Sequence, residues 1–281
     1  MAGHLVSTFL RETGCYEVAT LSARHRAHED TTLLDVLDRA AFEEYLDKRD
    51  FDVVVNCVGS LIHASERRKD LAVYLNSYLP HLLEHRYSAS NTKIIHLSTD
   101  CVFSGENPPY REDSPPDGAL FYDRSKYLGE IDNDKDLTFR MSIIGPDRQP
   151  DGVGLFNWFF AQNGDILGYT KAVWNGVTTT TLARAIDAAI EQDLVGVYHL
   201  VSQWSITKFK LLELMRDAFQ RHDIAISPYA NTPTDKTLVN TRIDFDFEVP
   251  SYEAQLLELR TWIETHASLY PHYARLSSEQ A

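Results

Sequence analysis

The chain has 281 residues, 43% of them hydrophobic and 24% charged, which excludes a disordered or fibrous protein and allows one large domain or two smaller ones. Asp and Glu outnumber Lys and Arg by 41 to 27, and the resulting net charge of −14 argues against a nucleic-acid partner. No apolar run approaches the roughly 20 residues of a membrane span, and the N-terminus lacks a signal peptide's basic-then-apolar plan.

The three cysteines, Cys15, Cys57 and Cys101, show no metal spacing and suit a reducing compartment. A soluble cytoplasmic protein without a metal or a membrane partner is expected. Its oligomeric state is left open, a homodimer included.

In chain order, Leu5, Phe9 and Leu10 mark one helical face that ends at Gly14. Tyr16–Ser22 reads as a strand. Asp38 caps a helix whose apolar face is Phe42, Tyr45 and Leu46. The valine-rich run Asp52–Val58 predicts a strand buried on both faces. Leu71, Leu75, Tyr78 and Leu82 predict a long helix that Pro80 should kink or divide. Lys93–Ser98 and Leu137–Ile144 read as further buried strands. Beyond residue 150 the rhythm loosens: Thr181–Gln192, Ile206–Arg221 and Ser251–His266 look helical, and Gly196–Ser202 looks like a strand.

Strands alternating with helices in this way predict a Rossmann-type α/β fold, a doubly wound parallel sheet. A dinucleotide-binding portion is expected over residues 1–150. A smaller substrate-binding portion over 151–281 should pack on it without a linker. Such sheets bind ligands beyond the carboxyl ends of their strands, here after Ser22, Val58, Ser98 and Ile144.

Tyr122 and Lys126 stand four apart on a segment that reads as helix to Glu130, so their side chains share a face. A phenol beside an ammonium is lowered toward neutrality and can exchange a proton with a carbonyl or an alcohol. Alone the spacing is weak, because a solvated Lys beside a half-buried Tyr gives the same signal. Its surroundings change that. Ser98-Thr99-Asp100 begins where a strand ends, Pro109-Tyr110-Arg111-Glu112-Asp113 follows, and Tyr122 leads through Lys126 to Gly129-Glu130.

These ordered elements resemble the extended short-chain dehydrogenase/reductases, and more narrowly the dTDP-4-dehydrorhamnose reductases. The resemblance implies Tyr122 as proton donor, Lys126 lowering its pKa and holding the nicotinamide ribose, and Thr99 bonding the substrate carbonyl. It places Asp35 and Val36 at the adenine, Asn56, Cys57 and Val58 along the cofactor, and Asn76 in the following helix. Ser142 and Ile143 would back the nicotinamide. Ser98, Asp100 and Cys101 would line the substrate pocket, together with Trp158, for which core packing is an equal alternative.

In the family's C-terminal Arg-Pro-x-x-Ser-x-Leu stretch the Arg-Pro is replaced by Asp235-Lys236, which leaves Lys236 as the substrate contact and the sugar and base undefined. Related dehydratases carry a glutamate at the place of Cys101, a weak acid, so reduction is favoured over dehydration, with an epimerase still open. The family's glycine-rich turn, Gly-x-x-Gly-x-x-Gly, meets the cofactor pyrophosphate at a helix N-terminus. Here only Gly3, followed by His4, matches it. Met1 is therefore read as an internal methionine of that turn. The alternative is a loss that leaves a non-catalytic regulatory subunit. After the second strand Arg24 and Arg26 precede any acid up to Glu29, which predicts NADP(H) over NAD(H). A sugar nucleotide is the expected small-molecule partner.

Overall fold

The protein is described from a computed structural model over residues 1–230 and 232–276. Helix α1 (Ala2–Glu12) buries Leu5, Val6 and Leu10 and ends before Gly14, which adopts φ 71°, a conformation cheap only for glycine. Strands β1 (Leu21–Ser22) and β2 (Thr32–Leu33) pair in parallel. Helix α2 (Arg39–Asp47) is capped by Asp38, whose carboxylate accepts from the Ala41 backbone N–H at 3.2 Å. Strand β3 (Val53–Asn56) follows.

Helix α3 (Ile62–Arg67) leads into a helical stretch made of α4 (Lys69–Ala72), a widened turn over Val73–Tyr78, and α5 (Leu79–Arg86). Pro80 sits in the first turn of α5 and has no N–H to give the Asn76 carbonyl four residues back, which explains why the helix widens just there. Gly129 uses the space: a Cβ on it would lie 1.8 Å from that same carbonyl oxygen.

Strand β4 (Lys93–Leu97) leads to α6 (Phe121–Tyr127), β5 (Leu137–Arg140) and β6 (Ile143–Ile144). The rest of the chain supplies α7 (Leu155–Phe160), β7 (Gly164–Tyr169), β8 (Ala172–Trp174) and β9 (Val177–Thr178). After these come α8 (Thr179–Glu191), β10 (Gly196–His199), β11 (Ile206–Thr207), α9 (Lys208–Ala218), β12 (Ile224–Tyr229), β13 (Thr234–Asp235) and α10 (Tyr252–Thr265).

The main sheet is parallel, in the order β10-β5-β4-β3. Its centre is dry: Ile94, Ile95, Leu137 and Phe139 have no exposed surface. The chain returns after residue 150 to add β10 to this sheet, and one continuous core joins Leu5, Ile95 and Phe139 to Leu182, Met215 and Leu256. Smaller sheets, β11-β8-β13, β12-β7 and β6-β9, complete the second portion.

Three strand expectations are corrected. Tyr16–Ser22 pairs only over Leu21–Ser22, because β1 has just two residues of β2 to bond. Leu137–Ile144 is two strands, since after Arg140 the ladder passes from β10 to β9. The Asp52–Val58 run forms a strand only at Val53–Asn56, and Val53, Val54 and Val55 are half-buried rather than buried on both faces. The reason is that β3 ends the four-stranded ladder, and β1-β2 forms a separate pair.

Candidate active site

The carboxyl ends of β3 and β4, the turn after β4, and α6 converge. Thr99 follows β4, and its hydroxyl accepts from the Cys101 backbone N–H at 3.1 Å while donating to the Asp100 carboxylate at 3.0 Å. The same hydroxyl acts on the Tyr122 phenol, presented by the first turn of α6. Thr99, Tyr122 and Lys126 are all buried. Lys126 lies one turn beyond Tyr122 and donates to the Leu97 carbonyl at 2.7 Å, with His96 Nε2 at 3.3 Å.

The electrostatics differ from the expectation. Burial pushes the Tyr122 phenol above its ordinary value, and the nearby Cys101, Asp100 and Asp123 push it further, against the opposing action of the Thr99 hydroxyl. The lowering expected from Lys126 is thus reversed: that side chain is turned to Leu97 and His96, and burial draws Lys126 itself down to about 8. Burial also raises Asp100 and lifts the Cys101 thiol to about 12, so Cys101 stays protonated at neutral pH.

A second charge faces this cluster. The Lys236 ammonium acts on Asp100, Cys101 and Asp123. It is carried there because the 234–240 segment runs beside the loop before α6. Tyr110 donates its backbone N–H to the Thr237 carbonyl at 2.9 Å and accepts from the Val239 N–H at 2.7 Å. The backbone also approaches closely at Gly105, where a Cβ would lie 2.7 Å from the Asp235 carbonyl oxygen. Trp158 is exposed on α7, so the core-packing alternative fails for it; its neighbours Phe156 and Phe159 are the buried ones.

Ser98 belongs to a buried ion-pair network. Its hydroxyl donates to Glu130 at 2.6 Å, and Glu130 takes two bonds from Arg140, at 2.8 and 2.7 Å. Asn76, on the widened turn, accepts from the Ser60 N–H at 2.7 Å and donates to Ser125 Oγ at 3.0 Å. It thereby ties the loop after β3 to α6. His96 and the Glu130–Arg140 pair are the site members that sequence reasoning missed. The signal for His96 was a lone polar residue inside the apolar run Lys93–Ser98.

The residues read as cofactor contacts fall into two groups. Asn56, Cys57 and Val58 follow or end β3, where Asn56 Oδ1 accepts from the Val58 N–H at 3.1 Å. Ser142 and Ile143 lie where β6 begins; the Ser142 hydroxyl accepts from the Trp174 indole at 2.8 Å. At the other end, Asp35 is exposed and accepts from the Leu37 N–H, Val36 is buried, and Arg24 is exposed after β1. His4 is turned onto the Tyr270 hydroxyl at 2.8 Å, and burial lowers it to about 3, so its ring is neutral.

A nicotinamide dinucleotide fits this donor set at its nicotinamide end, where a buried amine and a phenol–hydroxyl pair meet the ends of β3, β4 and β6. Gly3 also fits: a Cβ there would stand 3.3 Å from Cys57 Cβ, so a side chain would crowd the approach of α1 to that strand end. At the N-terminus of α1 the Asp147 carboxylate lies 3.1 Å from the Met1 amino group.

Residues 5–256 match the family model described as the RmlD substrate binding domain. The chain belongs to that family of extended short-chain dehydrogenase/reductases. A probable low-salt glycan biosynthesis reductase, Agl14, from Haloferax volcanii is 29% identical over 224 residues, covering 74% of this chain and 73% of that protein. Methionine adenosyltransferase 2 subunit beta from Xenopus tropicalis is 26% identical over 236 residues, covering 75% and 68%. The solved dTDP-4-dehydrorhamnose reductase of Bacillus anthracis, in complex with NADP, superposes with a TM-score of 0.78 at 19% identity, covering 94% of this chain and 96% of that one. Among the described residues no helix is long and apolar enough to cross a membrane.

Proposed function

We propose that this protein is an NAD(P)-dependent sugar-nucleotide oxidoreductase that reduces a 4-keto sugar nucleotide. The observation that carries the reading is the burial together of Thr99 at the end of β4 and of Tyr122 and Lys126 one turn apart on α6. The nicotinamide, when bound, supplies the hydride. Tyr122 gives its proton to the carbonyl oxygen, and Thr99 holds that oxygen in place. Lys126, where protonated, favours the phenolate that Tyr122 becomes. Asn56, Val58, Ser142 and Ile143 would hold the nicotinamide end, and Gly3 and Arg24 the phosphates. Lys236 would meet the substrate's negative charge. Cys101, held protonated with its pKa near 12, is too weak an acid to expel a sugar hydroxyl, which supports reduction over dehydration.

Consumption of NADPH with a dTDP-4-keto-6-deoxy sugar tests the reading directly. Tyr122→Phe should lower turnover by about 10²–10⁴-fold while leaving cofactor binding nearly unchanged. Turnover retained in that variant would make another group the acid. A second reading, a binding subunit without turnover, is favoured by the relatives named as subunit beta. Fluorescence titration with NADPH separates the two: a protein with no measurable cofactor affinity is the subunit and not the reductase.

A further inference from the structure

His96 and Lys126 meet beneath the site in an arrangement that their ordinary protonation states cannot satisfy. His96 is wholly buried on β4, with Nδ1 3.1 Å from the Asn56 amide nitrogen and Nε2 3.3 Å from Lys126 Nζ. The orientation of Asn56 is fixed, because its Oδ1 accepts from the Val58 N–H at 3.1 Å. The group facing the ring is therefore the amide NH2, which only donates. Nδ1 must accept, and a neutral imidazole then carries its one proton on Nε2, aimed at Lys126.

An ammonium also only donates, so two donors would oppose each other across 3.3 Å. An imidazolium would instead set a donor against Asn56. A neutral amine closes the inventory: it accepts from His96 Nε2–H and donates to the Leu97 carbonyl at 2.7 Å.

We propose that Asn56 locks His96 as the Nε2–H tautomer, and that this imidazole acts as a positioning residue that favours the neutral amine of Lys126 over the ammonium. The surroundings agree. Burial lowers both groups, Lys126 to about 8. Of the groups facing Lys126, Cys57 is pushed up to about 11 by burial and so brings no thiolate, whereas Glu130, held by Arg140 and Ser98, acts against burial. Tyr122 shares the helix with its phenol raised, and Lys126 and then His81, on α5, act with burial to lower His96. The kinetic consequence rests on the proposed reductase activity: protonated Lys126 favours the phenolate, so reduction should fall as pH rises past the Lys126 midpoint.

The tautomer can be read on the full chain labelled with 15N-histidine, without cofactor or substrate, so a protein that turned over no sugar nucleotide would still answer. Long-range 1H–15N correlation should show one ring with a bare Nδ1 and a protonated Nε2 above the Lys126 midpoint, between about pH 8 and pH 10. Asn56→Asp puts an acceptor opposite Nδ1 and should move the proton to Nδ1 in that ring alone, which assigns it. A ring protonated at Nδ1 in the unaltered protein, or at both nitrogens, overturns the proposal. His96→Leu then decides the role toward Lys126. Loss of a donor raises the Lys126 midpoint by about one pH unit, a tenfold loss of amine at fixed pH, whereas loss of an acceptor lowers it. A lowered or unmoved midpoint, followed by 13C-labelled lysine, sinks the role.

Discussion

The four-stranded sheet and the β1–β2 pair are both parallel and stand side by side in the chain, yet they are held by different means. In β4 and β5 the ladder runs through residues without exposed surface, such as Ile95 and Phe139. β1 and β2 share two residue pairs, and side chains do the rest of the tethering. The Arg11 guanidinium donates to the Val18 carbonyl at 2.6 Å, Thr20 and Thr31 bond each other at 2.7 Å, and Tyr16 donates to Asp187 at 2.7 Å. Everything that reads as proton-handling hangs from the first region: Thr99, Tyr122, Lys126 and His96. The residues read as adenosine contacts, Arg24 and Asp35, hang from the second. On the proposed function, the chemistry that needs close positioning would sit on the larger sheet, and the end that only has to grip a ligand on the smaller pair.

The comparison breaks first if the two regions cost the same to damage. Phe139→Ala, in the dry centre, should destabilise by about 3–5 kcal/mol, whereas Leu21→Ala on half-buried β1 should cost about 1 kcal/mol. Denaturant midpoints at unchanged slope would measure both. Glu130→Ala should match the larger figure, about 3–5 kcal/mol, because it leaves the Arg140 guanidinium buried and unpaired. The exposed Arg39–Glu43 pair on α2 should yield only about 0.3–0.5 kcal/mol when broken. A small loss at Glu130 would mean that water reaches Arg140.

Acid should sharpen the same contrast. Three histidines are neutral: His96 on β4 and His199 on β10, lowered to about 4, both buried, and the half-buried His4 on α1, lowered to about 3. Their folded pKa values lie below the unfolded value, so the unfolded chain binds more protons as the pH drops. The stability they contribute is whole above about pH 6.5 and is lost below it, at up to about 1.4 kcal/mol per pH unit for each histidine. Thermal unfolding between neutral pH and about pH 5 should show this loss, and His199→Asn should make it shallower. A stability curve flat across that range would mean the rings are already charged or exposed.

Much of this was legible in the chain. Alternating apolar runs and helical faces marked β3, β4, β5, α1 and α8, because parallel strands bury both faces and leave a continuous apolar signature. The Thr99, Tyr122 and Lys126 set was visible as spacing and order. What could not be read was direction. Nothing in the spacing of Tyr122 and Lys126 says that the amine turns to His96 and the Leu97 carbonyl, since that depends on β4 passing beneath α6. The half-burial of β3 was hidden for the same reason: Val53, Val54 and Val55 look like central-strand residues, and only the pairing pattern shows them at the end of a ladder. Trp158 stayed open between substrate contact and core packing because an aromatic cluster does not declare which ring faces out.

The smallest effect bears on the β1–β2 pair itself. Arg24 is exposed after β1 and makes no hydrogen bond among the described residues, whereas Arg26 donates to the Glu29 and Thr31 carbonyls and is committed to holding its own loop. A 2′-phosphate arriving there would find Arg24 as its available cation, and no carboxylate in the Ser22–Arg26 segment to repel it. Because the site is exposed, the contact is worth about 1 kcal/mol, so Arg24→Ala should weaken NADPH binding by roughly fivefold to tenfold. NADH, which lacks the phosphate, should be unaffected. The ratio of the two dissociation constants is the observable, since it cancels any general loosening of the β1–β2 pair. If both constants rise together, Arg24 is holding the pair in shape; if neither moves, the phosphate is gripped elsewhere.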